Sequence, residues 1–459
     1  MNSGTKSTDA WGCSLKTLQV DPRGLYQETV RGGIPKGRLE AFWPHAQRAW
    51  WEVQVERNRG ELPFLDTPYL KETDHVIEKA RAYRDCFDPV VVLGIGGSSL
   101  GPQALVEALF HPWMALESKA GQKGPRVFFL DNLDPSTCVK ALEITLEGNP
   151  LVIVISKSGE TIETLVQLLA FLGGLKSRFS DWKDRLLVIT DPQRGPLRKF
   201  AQEEGLQAFD LPPKVVGRFS VLSVVGLVPA EVLGIDTMEL LLGAIDMDRS
   251  LREGEGRPAL ETAALLFLLH REKGKYTWVT MIYGDALWRV GPWRVQLLAE
   301  SLGKREDLAP TPFWARGPMD QHSQLQLWLD GPKDKAFTVL RPLSHTFDLE
   351  LAQGLIGSEE AKVLEGKRVQ EVLEAERKAT EYVLAERGCP FYRMALPLTP
   401  RALGELFFFW EMETLLLGKF YQVNPLDQPA VEKGKRLTWA LLGRKGFEKE
   451  RGEIEAWER

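Results

Sequence analysis

The sequence predicts an α/β protein built as two tandem lobes. Short continuous apolar runs alternate with helical patterns twice along the chain, once from about residue 70 and again from about residue 277. The apolar runs do not switch polarity residue by residue, so each reads as a strand covered on both faces, as in a parallel sheet flanked by helices. At 459 residues the chain is also too long for one ordinary core. No repeat is strong enough to establish a duplication directly.

Residues 1–50 carry aromatics such as Trp11, Phe42, Trp43, Trp50 and Trp51 without a clear period. They are expected to be irregular, part of an N-terminal extension over 1–60 that wraps the body. The first lobe is assigned to 61–234. Its strands are expected at 89–94, 126–131, 151–156 and 186–190, with helices near 100–110, 135–147, 161–174 and 194–205. After Arg218-Phe219-Ser220 an apolar stretch runs to Leu233, and helices follow to about 272. The second lobe is assigned to 235–443, with strands near 277–284, 336–341 and 392–396. Its helices are expected near 287–302, 320–329, 359–385 and 400–418. The charged tail, 444–459, reads as a solvated helix or a frayed end.

Composition narrows the function. Hydrophobic residues make up 44% and charged residues 26%, the balance of a folded globular protein. A net charge of −5 and the lack of a dense Lys/Arg block argue against a nucleic-acid partner. No run of about eighteen apolar residues exists, so no membrane span is expected. The start, Met1-Asn2-Ser3-Gly4-Thr5-Lys6, lacks the apolar core of a signal peptide, which makes the cytoplasm the simplest address. Cys13, Cys86, Cys138 and Cys389 match no zinc or disulfide spacing. No two of His45, His75, His111, His270, His322 and His345 stand at i,i+3 or i,i+4, so no dedicated metal site is expected.

Two turns stand out as candidate binding elements. Gly94-Ile95-Gly96-Gly97-Ser98-Ser99 follows the run Pro89–Leu93, and Ser156-Lys157-Ser158-Gly159-Glu160-Thr161 follows Leu151–Ile155. Both should sit at the carboxyl edge of the sheet, where open α/β sheets bind ligands. Small residues let the backbone approach an anion, and a helix N-terminus supplies free N–H groups. The glycine turn alone is equally consistent with tight packing, and it has no Gly-Lys-Ser/Thr of a Walker loop. The second turn is more informative. Ser156, Ser158, Thr161 and Thr164 place four hydroxyls in nine residues at a strand end, which suits a phosphomonoester. Further on, Glu300 ends an otherwise apolar helical pattern, and Asp320-Gln321-His322-Ser323 begins one with Asp320 as a plausible N-cap. Asn424-Pro425-Leu426-Asp427-Gln428-Pro429 leads to Glu432-Lys433-Gly434-Lys435. Each of these, alone, is also consistent with an ordinary surface residue.

Taken in order, Gly94–Gly101, Ser156–Thr164, Gly217–Ser223, Glu300–Lys304, Asp320–Ser323 and Asn424–Lys435 resemble the glucose-6-phosphate isomerase (phosphoglucose isomerase) family, in its bacterial branch. The resemblance implies two αβα sandwich lobes of the sugar-isomerase (SIS) type, a homodimer, and aldose–ketose isomerisation without metal or cofactor. It implies Glu300 as the base between C1 and C2, Arg218 beside the enediolate, and His322 with Lys435 at the ring oxygen. It further implies that His322 comes from the partner subunit. Ser156, Lys157, Ser158, Thr161 and Thr164 match the phosphate loop, and Gly97 and Ser98 the sugar-side turn. The chain departs from the family where Glu160 stands in place of a common threonine, so its side chain is expected to point to solvent. Val216 replaces a frequent glycine, and Pro429-Ala430 a frequent Trp-Gly. Two alternatives stay open: a non-catalytic sugar-phosphate regulator, and an isomerase that also accepts mannose 6-phosphate.

Overall fold

The computed structural model describes residues 17–110, 125–254 and 256–458. Trp11, Cys13 and His111 lie outside the described residues. The chain opens with β1 (Gln19–Asp21), α1 (Lys36–Asn58) and α2 (Lys71–Arg81). A first strand–helix series follows: β2 (Val90–Leu93), α3 (Gly97–Leu109), β3 (Val127–Leu130), α4 (Pro135–Glu147), β4 (Leu151–Ile155), α5 (Ile162–Arg178), β5 (Leu186–Thr190), α6 (Pro196–Glu204) and β6 (Ala208–Asp210). Its sheet has the order β3-β2-β4-β5-β6, with every pairing parallel. All residues of β2, β4 and β5 are buried, as a two-sided cover of helices requires.

Three helices, α7 (Val224–Val232), α8 (Thr237–Glu253) and α9 (Arg257–Lys273), connect to the second series. That series runs β7 (Thr277–Tyr283), α10 (Val290–Leu302), β8 (Thr311–Gly317), α11 (Met319–Asp330), β9 (Lys335–Pro342), α12 (Glu359–Leu364), α13 (Val369–Glu386), β10 (Phe391–Leu396) and α14 (Pro400–Tyr421). The helices α15 (Glu432–Leu441) and α16 (Glu448–Trp457) close it. The second sheet has the order β1-β10-β9-β7-β8, parallel except for β1, which pairs antiparallel with β10. In both sheets the chain steps to one side of the first strand, then returns to its other side. That reversal opens a crevice at the carboxyl ends of β2 and β4, and another at β7 and β9.

The core explains why α14 is apolar along most of its length. It lies between helices, against α8, α9, α10 and α1, so no side of it meets solvent. Its contact with α8 is backbone-close. A Cβ on Gly404 would stand 1.9 Å from the Leu240 carbonyl oxygen, and one on Gly243 would stand 1.8 Å from that of Arg401. Only glycines at both crossings allow this approach.

Several sequence expectations need correction. The segment 1–50 is not irregular throughout. Within the N-terminal extension assigned to 1–60, α1 is a 23-residue helix whose buried residues Leu39, Phe42, Ala46, Ala49, Trp50 and Val53 recur at helical spacing. Pro44 inside the helix and the outward Trp51 obscure that stripe. The expected helix 359–385 is two, α12 and α13, separated at Glu365–Arg368 where Gly366 takes φ +71°. The strand β8 is an edge strand with half-exposed residues and Pro312, so it lacks the continuous apolar run that reveals its neighbours. The charged tail, by contrast, takes one of its two expected forms, the solvated helix α16.

Candidate active site

Strands β2 and β4 are hydrogen-bonded neighbours, so the two turns that follow them lie side by side at the carboxyl edge of the first sheet. In the first turn Gly96 takes φ +59° and Gly97 opens α3. A Cβ on Gly97 would stand 2.1 Å from the carbonyl carbon of Gly217 and 2.7 Å from the Arg218 nitrogen. The glycine therefore lets the N-terminus of α3 press on the backbone that carries Arg218. Ser98 is half-buried in the first turn of that helix.

The second turn is ordered by its own hydroxyls. Ser156 Oγ is buried, lies 3.0 Å from Thr161 Oγ1 and accepts the Gly159 N–H at 3.1 Å. Ser158 Oγ accepts the Glu160 N–H at 3.1 Å while its residue stays exposed. Thr161 is the N-cap of α5, and one turn inside, Thr164 holds a buried hydroxyl without a hydrogen-bond partner. Lys157 is half-buried. Burial pushes its ammonium below the usual lysine range, with Asp191 opposing the shift. Hydroxyls, an ammonium and a helix N-terminus together make a receptive site for an anion. Glu160 is exposed, as its position in such a loop demands.

Arg218 and Glu300 come from different strand–helix series. Arg218 follows the last strand of the first series on a short 3-10 turn, Gly217–Phe219, whereas Glu300 is near the end of α10 in the second series. The guanidinium Nη1 donates to Glu300 Oε2 at 3.0 Å and to Gln428 Oε1 at 2.8 Å. Its Nε donates to Ser301 Oγ at 2.9 Å, and Nη2 to the carbonyls of Pro425 at 2.5 Å and Asp427 at 2.8 Å. Burial pushes the Arg218 guanidinium down from its usual value, Glu300 pulls it back up, and arginine stays charged throughout. Gln296, one helical turn before Glu300, donates to Glu300 Oε1 at 2.9 Å. The same amide faces Gly96, where a Cβ would stand 2.9 Å from it. Lys304 holds the loop from below, with Nζ 3.0 Å from Asp427 Oδ1 and a hydrogen bond to the Asp427 carbonyl.

The structure thus joins Gly97, Arg218 and Glu300 in one cluster, and Ser156 with Thr161 in another. His322 and Lys435 stand apart within the single chain. His322 is exposed on the first turn of α11, and Lys435 is exposed on α15 with Nζ 2.7 Å from Glu432 Oε1. Among the described residues no hydrogen bond or ion pair links either of them to Arg218 or Glu300. Asp320 is not the N-cap of α11. Pro318 holds that place, and Asp320, inside the helix, accepts the Arg316 N–H at 2.7 Å, Ser323 Oγ at 3.0 Å and Gln324 Nε2 at 3.0 Å. Partial burial raises the Asp320 carboxyl, but these donors hold it below the usual carboxylate range. Gln296, Ser301, Lys304 and Gln428 were not among the candidate site residues. Gln296 carried a usable signal, lying four residues before Glu300 on the same helix face.

Comparison with known proteins follows the same lines. A family model described as phosphoglucose isomerase matches residues 79–313. A glucose-6-phosphate isomerase of Carboxydothermus hydrogenoformans is 40% identical over 450 residues, covering 95% of this chain and 97% of that protein. One from Thermus thermophilus is 40% identical over 391 residues, covering 83% of this chain and 91% of that protein. Among solved structures, a hypothetical protein from Thermus thermophilus superposes with a TM-score of 0.82 at 37% identity, over 93% of this chain and 100% of that one. A glucose-6-phosphate isomerase from Chlamydia trachomatis shares the fold, with a TM-score of 0.67 at 24% identity over 90% of this chain and 80% of that one.

Proposed function

The chain belongs to the phosphoglucose isomerase family, and on that premise we propose that Glu300 carries the proton between C1 and C2 while Arg218 holds the charge that develops. The enzyme interconverts glucose 6-phosphate and fructose 6-phosphate, a step shared by glycolysis and gluconeogenesis. The 3.0 Å contact between a buried guanidinium and the Glu300 carboxylate carries the assignment.

In the aldose-to-ketose direction Glu300 takes the C2 proton, and the electron pair of that bond forms the C1–C2 double bond of a cis-enediolate. The carbonyl oxygen at C1 becomes the oxyanion, and a fixed cation beside it stabilises that charge selectively in the transition state. A proton then passes from the O2 hydroxyl to O1. As the double-bond pair takes the proton back from Glu300 at C1, the O2 lone pair forms the C2 carbonyl, which gives the ketose. A positioned carboxylate of this kind is worth about 10²–10⁴ in rate. Five hydrogen bonds hold Arg218 in place, so its charge needs no reorganisation as the reaction proceeds. The phosphate is read onto Ser156, Lys157, Ser158, Thr161 and Thr164, and the sugar-side wall onto Gly97 and Ser98. Thr164's unpartnered hydroxyl supports this assignment.

His322 and Lys435 are assigned to ring opening, where one proton must reach the ring oxygen and another leave a hydroxyl. Supply of His322 by the partner of a homodimer fits its exposure in the single chain. Exposed apolar side chains on α11 (Met319, Leu327) and on α5 beside the phosphate loop (Val166, Leu169) are the surfaces such a dimer would cover. The same reading divides the body into lobes at 61–234 and 235–443 and locates the enzyme in the cytoplasm. Among the described residues no helix is long and apolar enough to cross a membrane.

Incubation with fructose 6-phosphate in D₂O tests the reading. Glucose 6-phosphate carrying deuterium at C2 is the expected product; glucose 6-phosphate made with no solvent hydrogen, by a hydride shift, would overturn the Glu300 assignment.

A further inference from the structure

The helices α15 and α16 form a hairpin that is held mainly to itself. Ala440 is the buried residue of α15, and Glu450 that of α16. Arg436 pairs with Glu450, and Lys433 Nζ lies 3.5 Å from Glu453 Oε2. Between the helices, the Arg444 guanidinium sits 4.9 Å from the Trp439 ring centre and 5.3 Å from that of Phe447. Among the described residues from 432 to 458, one side-chain polar contact reaches the rest of the chain. It joins Arg444 Nη1 to Glu160 Oε2 at 3.8 Å.

The other end of α15 is tied down through its loop. Arg218 binds the carbonyls of Pro425 and Asp427 and the Gln428 side chain, so the approach to α15 is fixed at the Arg218–Glu300 cluster. A ten-residue helix spans about 15 Å. The helix carrying Lys435 is therefore strung between that cluster at its start and the Ser156–Thr161 loop beyond its end. Glu160 stands inside that loop. A carboxylate there would repel a bound phosphate, yet it is turned outward and engaged by Arg444.

We propose that Arg444 is a positioning residue for the isomerisation: by pairing with Glu160 it ties the α15–α16 hairpin to the phosphate loop and sets Lys435 over the site. The inference rests on the roles given above to Lys435 and to the Ser156–Thr161 loop. It gives Glu160 a task that does not involve touching the anion. Because the pair is exposed, its effect is modest and sensitive to salt.

The test is steady-state kinetics with fructose 6-phosphate on the full-length variants Arg444→Gln, Arg444→Lys, Glu160→Gln and the Arg444→Gln/Glu160→Gln double, together with amide hydrogen exchange of α15. Each neutralising single variant should lower kcat/KM by about two- to fivefold, the range an exposed ion pair supplies. The double variant should lose no more than one single, because both remove one tether. Arg444→Lys should recover most of the loss, and the α15 amides should exchange faster in Arg444→Gln. Wild-type kinetics in Arg444→Gln, losses that multiply in the double, or unchanged α15 exchange would overturn the tether. Lys435→Gln separates the two readings. A large loss there beside an unaffected Arg444→Gln overturns the tether alone. An unaffected Lys435→Gln overturns the role of Lys435 and this inference with it.

Discussion

Gly97 and Gly217 come from different segments and meet backbone to backbone, so closely that a Cβ on Gly97 would stand 2.2 Å from the Gly217 carbonyl oxygen. The contact joins the turn after β2 to the residue preceding Arg218. The N-terminus of α3 and the backbone that carries Arg218 are thereby locked together. Gly97→Ala should force the two apart, destabilise the fold by about 1–3 kcal/mol as overpacked sites do, and lower kcat as Arg218 shifts. Thermal melting and turnover measured on the same preparation check this. An alanine variant with unchanged kcat would show that the contact does not set the guanidinium.

His322 carries a prediction about assembly. Glu300→Gln and His322→Ala should each be inactive as homodimers. Mixed and allowed to exchange subunits, they should regain up to about a quarter of wild-type activity, since half the dimers are mixed and each holds one intact site. No recovery, in a mixture shown to contain heterodimers, would place His322 and Glu300 of one chain in the same site.

The proposed role of Ser156 and Thr161 as phosphate ligands predicts a binding defect rather than a chemical one. Ser156→Ala and Thr161→Val each remove a hydroxyl that would donate to a charged oxygen. KM for fructose 6-phosphate should rise about ten- to a hundredfold with a far smaller change in kcat. Competitive inhibition by inorganic phosphate should weaken in parallel. Loss of kcat at unchanged KM would move these residues away from the phosphate.

The two sheets were legible in the sequence because strands such as Val90–Leu93 and Leu151–Ile155 are buried on both faces and so read as unbroken apolar runs. The small or half-exposed strands were not. Gln19–Asp21 and Ala208–Asp210 have three residues each, and Thr311–Gly317 is an edge strand, so none carries such a run. The N-terminal helix was hidden by aromatics on both of its faces. At the site, Arg218 and Glu300 came from the family resemblance that the ordered motifs carry, and the structure puts Nη1 of one 3.0 Å from Oε2 of the other. Gln296 and Gln428 did not, because an amide side chain has no pattern until the groups it bridges are brought together. The pairing of Glu160 with Arg444 is likewise invisible in one dimension, with most of the chain between the two residues.

Stability should carry a pH signature from Glu405. This residue is buried on α14, and burial pushes its carboxyl up to about 7, although it accepts the Leu18 N–H at 2.6 Å. A carboxyl raised on folding favours the protonated form in the fold. Its contribution is present in full below the unfolded value near 4.5 and is lost as pH rises toward about 7. The loss amounts to ~3 kcal/mol for a shift of this size. Glu405→Gln should therefore flatten the fall in melting temperature between about pH 4.5 and 7 and be more stable than wild type above it. An unchanged slope in the variant would contradict the assignment.

Solvent exchange reports whether one carboxylate, Glu300, moves the proton between C1 and C2 beside the Arg218 cation. Wild-type enzyme and Glu300→Gln are each incubated with fructose 6-phosphate in D₂O, with binding of the sugar phosphate measured separately. Wild type should make glucose 6-phosphate with deuterium at C2, and in the variant both exchange and isomerisation should fall by about 10²–10⁴ with binding retained. Deuterium incorporation at the wild-type rate by folded Glu300→Gln would contradict that role.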